Sequence, residues 1–190
     1  GTGAMAAMQK GGLGSASLVL EDGTTVAALV GANPIGSVTT PGDRHFWASP
    51  FEINGEFGGA GTDTNTGIFA LPDSRKSHVM HILATERSNT TIAIVATDAP
   101  LTKAQCHRMS VAAHDGIARA IVPAHTPYDG DLVFAASTGE GPAVDDVALL
   151  QIGHAAAVCL SRAIARAIYH ATPYPNDSLA CYRGKDCAPY

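Results

Sequence analysis

An α/β (α+β) layered sandwich, with sheets packed between helical layers, is the fold class this sequence predicts. Three observations carry it. The second half reads strand, helix, strand, helix, and a β-hairpin pattern lies upstream. Its two strands, 90–97 and 131–137, are apolar along most of their length. The last helix, 144–170, is apolar on nearly every face around Ile152 to Ile168, so it must be covered on more than one side.

Taken in order, residues 1–14 are glycine-rich and read as a backbone-hugging loop without a strand. Gly1-Thr2-Gly3-Ala4 imitates a dinucleotide fingerprint, but no strand precedes it, and Lys10 lacks the Ser/Thr partner of a phosphate-binding loop. Residues 15–20 and 24–32 are β-rich and joined across Asp22-Gly23, a good hairpin signal. Residues 33–88 hold Pro34, Pro41, Pro50 and Pro72 and read as a long surface excursion, with a short amphipathic helix at 77–86. The strand 90–97 follows. Thr102 with Gln105 makes a capping-box pattern for a helix that runs to about Ile121 and stops before Pro123. Strand 131–137 and the long helix complete the pattern, and the chain past Pro173 reads as loop.

Composition narrows the function. The 190 residues suit one domain; 46% are hydrophobic and only 15% charged, which fits a large core or a subunit that buries further surface on assembly. A net charge of −5 argues against nucleic acid or an anionic membrane as the main partner. No apolar run is read as a bilayer span and no leader pattern opens the sequence, so a soluble, cytoplasmic protein is expected. Cys106 and Cys159 fall in apolar helical patterns and read as small core residues. Cys181 and Cys187 flank a polar tail and suit either a bridge or two free thiols. The histidines, among them His78, His81, His107, His114 and His125, form no HExxH pattern, and no metal or other cofactor is expected. Ser137 and Ser161 lack a nucleophile elbow.

The segment that points to chemistry is Ser88-Asn89-Thr90-Thr91-Ile92, where polar residues run into a strand. A threonine hydroxyl needs a base within hydrogen-bond reach. If the Asn89–Thr90 bond is cut, the new α-amine of Thr90 is that base, titrating near ~7.7–8.0. Asp129 and Asp131, two apart around Gly130, would face one side of an extended segment and could position Thr90 and hold its amine or ammonium form. Asn33, just past a strand, could donate its amide to an oxyanion. Lys10, the only lysine in the first 75 residues, could lower a neighbouring pKa or bind a substrate carboxylate. Each has an ordinary alternative: Thr90 and Thr91 suit strand positions, the aspartates suit a turn and a strand cap, Asn33 suits a turn before proline, and Lys10 suits the surface.

Thr2-Gly3-Ala4, Lys10-Gly11-Gly12-Leu13-Gly14-Ser15-Ala16-Ser17, Asn33-Pro34, His45-Phe46-Trp47, Asn89-Thr90-Thr91-Ile92, Ala96-Thr97-Asp98-Ala99 and Asp129-Gly130-Asp131 together resemble one group over roughly residues 1–170. It is the self-processing L-aminopeptidase/D-esterase (DmpA) family, with its β-peptidyl aminopeptidases and nylon-oligomer hydrolase. The resemblance implies a four-layer αββα sandwich, related to ornithine acetyltransferase, and scission at Asn89–Thr90 with Thr90 as nucleophile. It implies Asp129 and Asp131 as the orienting acids and Lys10 and Asn33 as pocket residues. It divides the chain into 1–89, the end of a larger α subunit, and 90–190, the β subunit, together one structural domain. The family's upstream α portion, with a pocket tyrosine, has no counterpart here. The implied activity is hydrolysis of amide bonds in small peptides, amino amides, β-peptides or ω-amino-acid oligomers, by a homotetramer of cleaved pairs. Acyl transfer with the same nucleophile, or a non-catalytic small-molecule-binding subunit, are the alternatives.

Overall fold

The computed structural model describes residues 3–66, 71–76, 89–175, 177 and 179–184. The helix expected at 77–86 and Cys187, with its bridge to Cys181, lie outside them. A four-stranded mixed sheet organises the rest. β1 (Met5–Ala6) and β2 (Gln9–Lys10) form a small antiparallel hairpin ahead of β3 (Gly12–Val19) and β4 (Thr25–Ala32). β5 is Ile92–Thr97, α1 is Lys103–Ala120, β6 is Leu132–Ser137 and α2 is Asp146–Tyr169. The large sheet has the order β3-β4-β5-β6. Its first two junctions are antiparallel, while β5 and β6 are parallel and connected through α1, as a parallel pair requires.

Local chemistry explains the elements. Between β3 and β4 the Asp22 carboxylate accepts from the Thr24 N–H at 2.9 Å and Gly23 takes a positive φ of 89°, closing the expected turn. The Thr102 box is present: Gln105 N–H donates to Thr102 Oγ1 at 3.2 Å and Thr102 N–H to Gln105 Oε1 at 3.0 Å. Asp145 caps α2 by accepting from Ala148 N–H at 2.8 Å, so this helix starts two residues later than the apolar pattern suggests.

Both helices pack on one face of the sheet, α2 over β3 and β4, α1 over β6 and against α2. The glycines set how close they come. A Cβ on Gly14 would stand 2.0 Å from the Ala163 carbonyl oxygen, and one on Gly116 would stand 2.3 Å from that of Ala157. This corrects the reading of residues 1–14. Gly12 and Gly14 are inward-facing strand positions that let the backbone of α2 approach, and β3 accordingly begins at Gly12.

The opposite face carries Leu13, Val19, Leu29, Ile92, Ile94 and Phe134, all exposed. β5 and β6 are therefore apolar on both sides but covered on only one within these residues. The architecture is of the αββα type, in which two sheets stack face to face between helical layers. The described residues supply one sheet and the helices on one side of it.

Two further expectations are corrected. The excursion after β4 is not all surface: Ile35, Val38, Phe46, Ala48 and Phe57 are buried in or beside the core. Span-length apolarity does exist, in α2, whose best window has a mean hydropathy of 1.5. Of that window 61% is buried within the protein, so its apolarity serves the core against β3, β4 and α1.

Candidate active site

Strand register alone brings the proposed residues together. Gly31 on β4 pairs with Ile92 on β5, so two residues further out Asn33 falls opposite Thr90. Ile92 pairs in parallel with Leu132, which sets Asp129-Gly130-Asp131 beside Asn89-Thr90-Thr91. An isolated bridge between Asn89 and Asp129 extends that ladder. The carboxyl end of β4 and the amino ends of β5 and β6 thus form one site.

Hydrogen bonds there are short and mutually consistent. Thr90 N–H donates to the Asn33 carbonyl at 3.1 Å. The Thr90 hydroxyl donates to the carbonyl of Asn89, the residue before it, at 2.6 Å. That carbonyl also accepts from Gly130 N–H at 2.9 Å. Asn89 itself is buried, and Thr90 is half-buried. Asp131 Oδ1 accepts from Thr91 N–H at 2.8 Å, while its other oxygen lies 3.2 Å from His125 Nδ1. Asp129 is tied to loops on both sides: it accepts from Ile35 N–H at 3.1 Å and from the Thr126 hydroxyl at 2.7 Å. Gly130 has to be small, because a Cβ there would stand 2.9 Å from Thr90 Oγ1.

The lysines divide differently from expectation. The Lys10 ammonium is buried against the Asp177 carboxylate and lies over the Tyr174 ring. Its hairpin does reach the site, through Met5 N–H donating to Asn33 Oδ1 at 3.0 Å. The ammonium that reaches Asn33 is that of Lys76, which donates to Asn33 O and Oδ1, each at 2.8 Å, and to Pro34 O at 2.9 Å. Burial pushes Lys76 down to about 8, opposed by the charges of Asp129 and Asp131. With Oδ1 of Asn33 taken by two donors, its amide orientation is set, Nδ2 being the donor end.

Sequence reasoning missed Lys76 and the Gly130 N–H. The first sits in a stretch with no periodicity to show where it folds, and the second is backbone, invisible to residue-type reasoning. His114, whose ring centroid is 5.2 Å from that of His125, is held below the usual imidazole range by burial and by His125. Among the described residues no group of three or more His, Cys, Asp or Glu is arranged to hold a metal ion. A concavity lined by Ser17, Leu29, Ile94 and Arg166 lies elsewhere, on the sheet, and contains none of the residues around Thr90.

Comparison with known proteins gives one answer. The model of peptidase family S58 matches residues 1–178. An uncharacterized aminopeptidase of Mycobacterium bovis is 40% identical over 190 residues, covering 91% of this chain and 52% of that protein. A 6-aminohexanoate-oligomer endohydrolase of Paenarthrobacter ureafaciens is 29% identical over 118 residues, 60% of this chain and 30% of its own length. The structure of the L-aminopeptidase D-Ala-esterase/amidase from Ochrobactrum anthropi, a variant of the Ntn hydrolase fold, is similar with a TM-score of 0.60 at 26% identity. That similarity covers 88% of this chain and 42% of that one. The chain spans about half the length of the curated relatives it matches most extensively. With the family model running through the sheet, both helices and every residue of the Thr90 site, the chain belongs to peptidase family S58.

Proposed function

We propose that this protein cuts its own chain between Asn89 and Thr90 and then works as an N-terminal-threonine amidohydrolase. The observation that carries the reading is the Asn89 carbonyl, held between the Thr90 hydroxyl and the Gly130 N–H. In the first step Thr90 Oγ1 attacks the carbonyl carbon of Asn89, and the oxyanion that develops faces the Gly130 donor. The C–N bond breaks, the nitrogen takes the hydroxyl proton, and an ester joins Asn89 to Thr90 Oγ1. Water hydrolyses that ester and leaves a free α-amine on Thr90.

In the mature site that nitrogen keeps Asn33 O as its acceptor and sits on the same residue as the hydroxyl it deprotonates. The substrate carbonyl takes the place of the Asn89 carbonyl, with Gly130 N–H and Asn33 Nδ2 as oxyanion donors. Thr90 Oγ1 forms the acyl-enzyme, the amine passes its proton to the leaving nitrogen, and water then releases the acid. Asp131 positions Thr90 through the neighbouring Thr91 N–H, and Asp129 braces the loop that carries Gly130. Lys10 is assigned to the pocket wall, where a substrate carboxylate would compete with Asp177. Relatives named as aminopeptidases, an esterase/amidase and an aminohexanoate-oligomer endohydrolase support small peptides, amino amides, β-peptides or ω-amino-acid oligomers as substrates. A homotetramer of cleaved pairs is the assembly we assign.

Intact mass of the purified full-length protein tests this. Wild type is expected as two fragments meeting at Asn89/Thr90, and Thr90→Ala as one uncut chain without amidase activity. A Thr90→Ala chain that still splits there would refute the mechanism.

A further inference from the structure

We propose that Lys76 is a positioning residue of the Thr90 site, whose ammonium orients Asn33 and holds the Thr90 α-amine in its unprotonated, basic form. The inference rests on the reading of Thr90 as the nucleophile. Its segment is anchored where the site needs it: the Ser74 hydroxyl donates to Ile35 O at 2.7 Å, and Arg75 N–H donates to Ala7 O at 3.3 Å. Lys76 is 7% exposed, and its three donors meet three oxygens, Asn33 O, Asn33 Oδ1 and Pro34 O. An ammonium has three N–H donors and no acceptor, so this cradle suits the charged form. The decisive contact is shared. Asn33 O also accepts from Thr90 N, the atom that becomes the α-amine.

Charge balance gives that contact a purpose. Asp129 and Asp131 flank Thr90 and favour the ammonium form of a nearby amine, which is useless as a base. A cation on the same acceptor oxygen acts in the opposite sense. Among the described residues, the other ionisable groups near the site are His125, beside Asp131, His114, whose ring lies against His125, and Lys10, on the β1–β2 hairpin, which is paired with Asp177. Among the described residues, Lys76 is the cation that meets the amine's own acceptor.

The test is the pH profile of kcat/KM for full-length, self-cleaved wild type, Lys76→Met and Lys76→Arg. In Lys76→Met the acid limb is expected to move about one unit higher, a loss of about tenfold near pH 7 that shrinks toward pH 9. In Lys76→Arg the acid limb stays in place. If Lys76→Met does not fold, Lys76→Gln, which keeps a donor for Asn33 without the charge, decides in its place, with the same rise of the acid limb expected. A Lys76→Met profile parallel to wild type, or an acid limb in Lys76→Arg displaced as far as in Lys76→Met, overturns the proposal while leaving Thr90 as nucleophile. Persistent splitting and activity in Thr90→Ala would instead bring down both.

Discussion

Gly130 does two things at once beside Thr90: its N–H polarises the Asn89 carbonyl, and its missing Cβ leaves room for the Thr90 hydroxyl. Gly130→Ala keeps the donor but puts a methyl within 2.9 Å of Oγ1, so the hydroxyl has to rotate or shift. The expected outcome is slowing of both scission and turnover by about 10²-fold, the effect of small misplacements in an active site, with a near-native melting temperature. A time course of chain splitting checks it. That the aspartates flanking this glycine lie beside Thr90 was legible in the Asp-Gly-Asp run before a strand, but their expected hold on the Thr90 nitrogen was not met: that nitrogen donates to Asn33 O, while Asp131 accepts from Thr91 N–H and Asp129 from Ile35 N–H and the Thr126 hydroxyl. Asn33 was legible too, as a polar residue at a strand end. Lys76 was not: 43 residues separate it from Asn33, and only the fold of the intervening excursion brings them together.

Helices and strands were the most readable level, because their signals are local. The Thr102–Gln105 box was evident from spacing, and it stands at the start of the crossover that carries the chain from β5 to β6. Thr102→Ala should cost about 1 kcal/mol, since it removes one of the partners of the first helical turn. Urea unfolding at neutral pH would read this as a lower midpoint with an unchanged slope. The strand of glycines was harder. Gly12 and Gly14 look like loop because glycine carries no apolar side chain, yet their value to β3 is the absence of one where α2 lies against the sheet. Such close approach is a property of two elements together, and no window of sequence displays it.

For the molecule as a whole, the excursion after β4 is pinned to the helical layer by Glu56. Its carboxylate receives Arg162 Nε at 2.5 Å and Arg166 Nη1 at 2.8 Å, and the Arg162 fork also holds the Ser17 carbonyl of β3 at 2.9 Å. Burial by itself would raise the Glu56 carboxyl, but the hydrogen bonds from Arg162 and Arg166 outweigh it and hold it below its ordinary 4.5. A carboxyl depressed in the folded state contributes stability that is fully present above 4.5 and is lost as pH falls through the folded value. Glu56→Gln should therefore destabilise the protein by about 2–3 kcal/mol at pH 7, and the gap to wild type should close in acid. Melting temperatures of both proteins from pH 7 downward would show the two curves converging. None of this was visible in the chain, where Glu56 stands 106 residues from Arg162. The layered architecture was visible, because an apolar helix and apolar strands can be buried in few ways.

Acid-quenched digestion and tandem mass spectrometry during turnover of an amino-acyl amide would locate both the chain end and the acyl group. A fragment beginning at Thr90 and carrying the substrate acyl group on its side chain is the predicted finding. An acyl group on any other residue, or active protein with Asn89 and Thr90 still joined, would contradict it.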